Sequence, residues 1–587
     1  MEHTNLSDRM KDSKKKQEKE LEVLRHSTSH ILAQAVKRLF PEAKLGIGPP
    51  IKNGFYYDFD IDGELLSRNL SRIRKEMEKI IQEDLPFKKD LISKQEAMRI
   101  FQERGEPYKL ELLEEIEEEK VSIYSQGEFI DLCRGPHVES TGKIKHFALL
   151  SVAGAYWRGR EGNPMLSRVY GTSFFTREEL EEHLRWMEEA KKRDHRKLGR
   201  ELEIFDIYPD LGPGLAVYHP KGAIIREVIE NFEKEEHIKR GYQLVRTPHI
   251  SKADLWKVSG HLDFYRENMY VFSVNGEDYV LKPMNCPAHI MVYKSRQRSY
   301  RELPIRLFEL GTVYRREESG VLHGLLRLRG FTQDDAHIFC MPSQVVEEVR
   351  KVLQFSLFMM DTFKLGYRVT LSTRPVKSIG SDILWERSTD ALKEALRRES
   401  IDFEVASGEG AFYGPKIDIQ MEDALGRLWQ GPTIQVDFNL PERFNLTYVA
   451  SGGEKKRVVM IHRVVLGAID RFLGVLIEHL GGKFPVWLAP VQAKILTLTD
   501  KEIPFARHVY DVIRDQGIRV ELDSRNEMLS YKIREAQLQK IPYMLILGKK
   551  EEETKTLTVR KRDGENLKNI SVKSFINMVK EKIAAKS

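Results

Sequence analysis

Leu21, Leu24, Ile31, Ala35 and Leu39 fall on one face at helical spacing, which predicts an amphipathic helix over 21–40, stopped by Pro41. Residues 1–20 ahead of it are polar and lysine-rich, and read as a solvated tail or a frayed helix start. After a stretch punctuated by Gly and Pro, NGFYYDFDI predicts a pair of strands, and residues 64–84 another charged helix. From Val121 to Phe175 β-formers and glycines dominate, with VSIYSQGEFIDLCRGPH at the centre. Residues 176–203 are nearly all helix formers with opposite charges four apart, a pattern common in helices that bridge domains. A boundary is expected there.

From Phe205 to about Trp487 strands and helices interleave. Asn275-Gly276 sits between two alternating runs in MYVFSV-NGED-YVLKPM, a strong hairpin mark. RLFELGTVYRRE and LLRLRGFTQDDAHIFC read as antiparallel strands joined by ESGVLHG. Hairpins of this kind imply an antiparallel sheet with helices to one side. Cys286 is expected to close the hairpin strand YVLKPMNCPAH and His337 to end its own strand. His462 is expected to open a strand that runs into a helix with Arg471 on its inner face. The last hundred residues change again: AKILTLTD, IRVELDS and YMLILGK alternate with helices at about 503–516 and 527–540. TLTVRKR and a final helix complete a small α/β domain. The fold class expected is therefore multidomain, α+β with α/β.

Composition narrows the class. A length of 587 residues implies several domains. With 31% charged and 41% apolar residues the chain reads as a globular protein with sizeable cores. Its net charge of +6 is small for that size, so any nucleic-acid surface must be a local patch. No apolar run approaches the ~18 residues of a membrane span, and the N-terminus has neither a secretion core nor an Arg-rich transit pattern. Three cysteines, Cys133, Cys286 and Cys340, make no disulfide framework. These features point to the cytoplasm. No GxxxxGK[ST] loop occurs, so phosphate must be held by side chains.

Cys286, His337 and His462 offer one thiolate and two imidazoles, a set that suits zinc. Three protein ligands leave one coordination position for substrate, and their separations of 51 and 125 residues are unlike the short local spacing of structural zinc. The bland alternative is an unmetalled cysteine and two unrelated histidines. Arg315 presents a planar fork suited to phosphate, with Glu317 two residues on, and Arg471 supplies a second fork. Phe331, with Arg329 nearby, is placed to stack on a purine. Nearer the N-terminus, His26 and His30 in HSTSH share one helix face. Cys133 and His137 in DLCRGPH have the same spacing, in a segment that Gly135-Pro136 makes a loop. These four could bind zinc on spacing alone, but a HExxH reading fails because Ser27 follows His26.

RLFELGTVYRREESG…RLRGFTQDDAHIF resembles motif 2 of the class II aminoacyl-tRNA synthetases, and GAIDRF resembles motif 3. FEKEEHIKRGYQLVRTPHI is similar to motif 1, which in that class forms a dimer interface. MNCPAH, RGFTQDDAHIFC, EGAFYGPKID and VMIHR, with HSTSH, DLCRGPH and SVAGAYWRGR, resemble the threonyl-tRNA synthetase family from Leu21 to the C-terminus. The resemblance implies a homodimer that joins threonine to tRNA(Thr) through an adenylate, using ATP with Mg²⁺ and one Zn²⁺ per subunit. By the same resemblance Arg315 and Arg471 are catalytic, and Arg315, Glu317, Arg327, Phe331 and Arg471 bind ATP. Gln333, Asp335, Tyr413 and Gln430 would hold threonine beside the zinc of Cys286, His337 and His462.

A site that uses the hydroxyl rejects valine strongly, but serine differs by one methyl worth only ~1–3 kcal/mol, so a proofreading site is needed. The resemblance assigns that role to His26, His30, Asp131, Cys133 and His137, acting without a metal. It assigns anticodon reading to Asn526, Glu551 and Arg560, with Lys532 and Arg534 on phosphate. The implied domains are a tail at 1–20, an editing domain at 21–175, a linker at 176–203, a catalytic domain at 204–487 and an anticodon-binding domain at 488–587. The family's small extra N-terminal domain is expected to be missing, and Ala468 stands where a small polar residue is frequent. The alternative is a non-catalytic, synthetase-like RNA-binding regulator, which would be expected to lose Arg315, Arg471 or a zinc ligand.

Overall fold

The computed structural model describes residues 2–160 and 162–587, with side chains from Lys16 onward. It divides into two compact units, 1–188 and 189–587. Among the described residues no helix is long and apolar enough to cross a membrane.

The first unit is built on one helix, Glu2–Leu39, which ends just before Pro41. The backbone is helical from Glu2, so of the two readings of residues 1–20 the helix start holds and the separate tail does not; side chains before Lys16 lie outside the described residues. Leu24, Ile31, Leu32, Ala35 and Val36 are buried in one core with Phe55, Tyr57 and Phe59 of the strand Gly54–Asp60. That strand pairs antiparallel with Met165–Phe174, which pairs with His146–Tyr156. A second, three-stranded sheet holds Lys88–Ser93, Lys120–Gln126 and Phe129–Leu132. The helix expected over 64–84 is two helices, Gly63–Arg68 and Leu70–Gln82, hinged at Asn69. The long helix expected over 176–203 also breaks, into Arg177–Arg193 and His195–Glu201. Asp194 causes that break: its carboxylate accepts from Arg196 N and caps the second helix.

The second unit centres on an eight-stranded sheet. Its strands run in the order Gln243–Leu244, Ile305–Tyr314, Gly330–Cys340, Val459–Val464, Leu428–Asp437, Lys416–Glu422, Gly366–Ser372 and Glu404–Ala406. The inner pairings are antiparallel, and only the two edge pairs are parallel. Helices Pro220–Lys239, Val345–Phe363 and Ile469–Leu480 contribute Ile225, Ile229, Phe355, Met359, Phe472 and Leu476 to the main core. The hairpin Tyr270–Val274/Glu277–Leu281 turns through Asn275 and Gly276, both at positive φ (52° and 83°), as a two-residue turn of right-handed strand twist requires.

Cys286 does not close that hairpin. The strand stops at Leu281, and Cys286 opens the helix Cys286–Lys294 with Pro287 in its first turn, where a missing N–H costs nothing. His337 and His462 lie inside their strands rather than at an end. The C-terminal sheet runs Val520–Asp523, Ala493–Thr497, Tyr543–Leu547, Thr556–Lys561 and Asn566–Ser571, parallel then antiparallel. The strand Asn566–Ser571 and the short helix Lys549–Thr554 went unforeseen.

Gly222 marks how tightly the helix Pro220–Lys239 is seated, since a Cβ there would lie 2.0 Å from Ile204 O. Gly222→Ala gains about 1 kcal/mol of helix propensity but forces an overpacking cost of about 1–3 kcal/mol. The variant's melting temperature should fall in a thermal scan; a rise would show that the backbone of Ile204 yields freely.

Candidate functional site

The central sheet opens onto a cavity of about 390 Å³. Cys286, Arg315, Phe331, Gln333, Asp335, His337, Tyr413, Gln430, His462 and Arg471 all line it. Strand register gathers them. His337 faces His462 across one strand pair, and His462 faces Gln435 across the next. Gln333, Asp335 and His337 alternate along Gly330–Cys340 and so share a face.

The ligand atoms of Cys286, His337 and His462 lie within 4.8 Å of one another, and all three residues are buried. Burial pushes the Cys286 thiol well up, with Asp335 and Asp437 adding to it. Burial likewise holds His337 well below the usual histidine range, helped by His289 and His462. A neutral imidazole is the form that ligates a metal, and a thiolate in so dry a place needs a cation beside it. His462 Nε2 is 3.0 Å from Asp437 Oδ2, while Asp437 Oδ1 accepts from Asn439 N and Leu440 N at 2.7 and 3.1 Å. Asn285 Nδ2 donates to Asp335 Oδ2 at 3.0 Å. A Cβ on Gly311 would lie 2.4 Å from that amide, so the glycine makes room for it. The sequence reading missed Asp437, Asn285 and His289; only the last two left a signal, as neighbours of Cys286 in MNCPAH.

At the other end of the cavity Arg315 and Arg471 have no carboxylate within 4 Å among the described residues. The Arg315 guanidinium sits 5.2 Å from the Phe331 ring centroid. Burial lowers the pKa of Arg471, and the nearby charges of Arg315 and Arg327 lower it further. Cations crowded in this way favour an anion between them. Arg471 Nε donates to Leu326 O at 3.0 Å. The adjacent Leu325 N donates to His195 Nε2 at 3.1 Å, and His195 Nδ1 lies 2.6 Å from Glu478 Oε1. Glu317 and Arg327 pair with each other at 2.8 Å rather than lining the cavity. Gln430 Nε2 is engaged by Asp418 Oδ1 at 2.8 Å.

A second cluster lies in the first unit. The ligand atoms of His26, His30, Cys133 and His137 come within 4.8 Å of one another. Cys133 Sγ is 3.3 Å from His26 Nε2 and 3.2 Å from His137 Nε2. Asp131 accepts from Tyr57 OH at 2.6 Å, pairs with Lys109 at 2.5 Å and lies 3.8 Å from His30. Lys109 and Tyr57 are buried and were not anticipated, because their segments carry no pattern that marks a site. Burial lowers the pKa of all three imidazoles and raises that of the thiol. The four groups are thus neutral near pH 7, next to one buried ion pair.

In the C-terminal domain Asn526 is exposed. Glu551 accepts from Gly548 N and from Thr558 Oγ1, and Arg560 donates to Gly564 O. Lys532 is not available to phosphate: it is buried, and its Nζ donates to Thr497 O at 3.0 Å. Its charge suggested a surface position, but its face of the helix turns onto the sheet. Arg534 remains exposed.

Three families match parts of the chain: "tRNA synthetase class II core domain (G, H, P, S and T)" over 269–480, "Anticodon binding domain" over 486–582, and "Threonyl and Alanyl tRNA synthetase second additional domain" over 121–170. A threonine–tRNA ligase of Citrifermentans bemidjiense is 56% identical over 563 residues, 96% of this chain and 88% of the relative. Among solved structures, the RNA-binding domain of threonyl-tRNA synthetase from Cryptosporidium parvum is 41% identical with a TM-score of 0.63, over 66% of this chain and 98% of that one. A protein described as a putative threonyl-tRNA synthetase of Aeropyrum pernix is 34% identical with a TM-score of 0.60, over 67% and 96%.

Burial raises the Cys133 thiol to about 11, so at pH 8 almost none is thiolate. Alkylation by iodoacetamide, followed by peptide mass spectrometry, should be slow at pH 8 and still accelerating above pH 9. A rate that levels off below pH 9 would contradict this environment.

Proposed function

The chain belongs to the threonine–tRNA ligase family, and from that membership we propose which residues hold each substrate and how serine is kept out. The enzyme charges tRNA with threonine through its class II core, and it carries an editing domain and an anticodon-binding domain.

Arg315 and Arg471 hold the phosphates of ATP, with Mg²⁺ accompanying the nucleotide, and Phe331 stacks on the adenine. The threonine carboxylate attacks the α-phosphate, an oxygen–phosphorus bond forms as pyrophosphate departs, and the fixed guanidinium groups stabilise the charge that develops. Glu317 and Arg327, now paired with each other outside the cavity lining, part to meet the base and the phosphates when ATP binds. Little proton transfer is needed in this step.

The donor set of Cys286, His337 and His462 fits zinc: one sulfur and two imidazole nitrogens, buried and mutually close, with one position left open. A bound zinc supplies Lewis-acid coordination that a hydroxyl can fill and a methyl cannot, which sets threonine apart from valine. Asp335, steadied by Asn285, accepts from the amino group, while Gln333, Tyr413 and Gln430 surround the side chain. The single observation that carries this reading is that ten residues chosen from sequence line one cavity.

Seryl-tRNA goes to the second cluster. There His26, His30, Cys133 and His137 line a pocket that activates one water against the mischarged 3′ end, and the buried Lys109–Asp131 pair lies behind His30. Asn526, Glu551, Arg560 and Arg534 face the anticodon arm. The enzyme works as a cytoplasmic homodimer: Ile238 and Leu244, at the end of the motif-1-like helix and in the strand after it, are 54% and 51% exposed, as a buried subunit interface would explain.

ATP–pyrophosphate exchange tests the first site. Threonine should support strong exchange, serine weaker exchange and valine none. Arg471→Ala should lower the rate by ~10²–10³ with an unchanged melting temperature; exchange that survives the substitution would remove Arg471 from the phosphate site. For the second site, His30→Ala should leave threonine-dependent exchange intact while seryl-tRNA accumulates in a charging assay with serine. Continued clearance of seryl-tRNA would place proofreading elsewhere.

A further inference from the structure

The Nδ1 atom of His337 meets Nδ1 of His289 at 2.8 Å. His289 is fully buried on the helix that begins at Cys286, one turn past that cysteine. On the far side of its ring, Nε2 lies 3.3 Å from Glu309 Oε1, its nearest acceptor, without the alignment of a hydrogen bond, and makes no hydrogen bond to any other group. Glu309 is itself held as an acceptor. Thr247 donates to it through both N and Oγ1, at 3.0 and 2.7 Å, and the Lys282 ammonium lies 3.5 Å away.

Two imidazole nitrogens in contact can share only one hydrogen. Glu309, loaded with donors and beside an ammonium, stays an acceptor, and its carboxylate oxygen 3.3 Å from His289 Nε2 favours a hydrogen on that nitrogen over a lone pair. An imidazole that turns its one N–H toward that carboxylate leaves Nδ1 bare, to accept. His337 Nδ1 therefore carries the hydrogen, and His337 Nε2 is left with a free lone pair. The opposite order would put a hydrogen on His337 Nε2, where no lone pair could remain for a cation.

We infer that Glu309 and His289 form a positioning relay that fixes the tautomer and ring orientation of His337, presenting its Nε2 to the metal. The inference rests on the zinc reading of this cavity and adds two residues to it. His462 is set by a direct carboxylate, Asp437, on Nε2, which leaves Nδ1 as its ligand atom. The two histidines thus offer different ring nitrogens, one ordered by a carboxylate in contact and the other by a carboxylate acting through a second imidazole. Partners of this kind typically change metal affinity 10–100-fold.

The test compares the full-length enzyme with His289→Phe and His289→Asn. Phenylalanine fills the volume without an acceptor, while the asparagine amide oxygen occupies the Nδ1 position and accepts there. Zinc affinity is read by competition with a chelator, and the melting temperature of the zinc-free proteins reports folding alone. His289→Phe should weaken zinc binding by about 10–100-fold, and His289→Asn should restore it to within a few-fold of wild type. Zinc-free melting temperatures should not track that difference. Equal zinc affinity in wild type and His289→Phe, or equal losses in both variants, would overturn the relay and leave the zinc site standing. A wild-type enzyme that holds no zinc would overturn both.

Discussion

Everything at the catalytic cavity depends on the pairing register of three neighbouring strands. His337 stands opposite His462, and His462 opposite Gln435, so side chains far apart in sequence point into one space. Because successive residues of a strand face opposite sides, a slip of one residue would send all of them into the helical core. The register is held from behind. Ala336, Ile338, Ile461 and Val436 alternate with the cavity residues and pack against Phe472, Leu473 and the other helix residues of the main core. The apolar half of each strand thereby fixes where its polar half points.

Dryness then sets the chemistry. Burial removes charge from His337 and resists it on the Cys286 thiol, so the group is made of good donors with nothing to bind except a cation. Arg315 and Arg471 face the opposite problem. Their guanidinium groups have no carboxylate within 4 Å among the described residues, and the charge of Arg315 bears on Arg471, a crowding that an anionic ligand relieves. One cavity thus gathers a cysteine and two histidines at one end and crowded guanidinium groups at the other. The cluster around Cys133 is different: it is neutral apart from Asp131 and Lys109, and suits a substrate to be held and hydrolysed rather than a charge to be stabilised.

Local signals in the sequence are legible where the chemistry is local. Asn275-Gly276 announces a turn, and the alternation in RLFELGTVY announces a strand whatever surrounds it. Cys286 was misplaced because a short apolar run before a proline fits a strand end as well as a helix start. The breaks at Asn69 and Asp194 were overlooked although both are capping residues; opposite charges four apart kept the helical pattern running across them. Lys532, Lys109 and His289 show the deeper limit. Whether a lysine is solvated or buried against a carbonyl or a carboxylate is decided by what packs on it, and those partners lie at distances along the chain that no periodicity records.

One buried imidazole also orders events in time. His195 joins Glu478, 283 residues away, and Leu325, 130 residues away, and the loop it pins carries the carbonyl that holds Arg471. Closing so long a loop is entropically slow, even though each doubling of length adds only about 0.6 kcal/mol. A chain leaving the ribosome cannot make this junction until Glu478 has emerged, long after the strands of the central sheet began to appear. The carbonyl that holds Arg471 is therefore braced only once Glu478 has joined the fold, and a nascent chain short of that point leaves this end of the cavity loose.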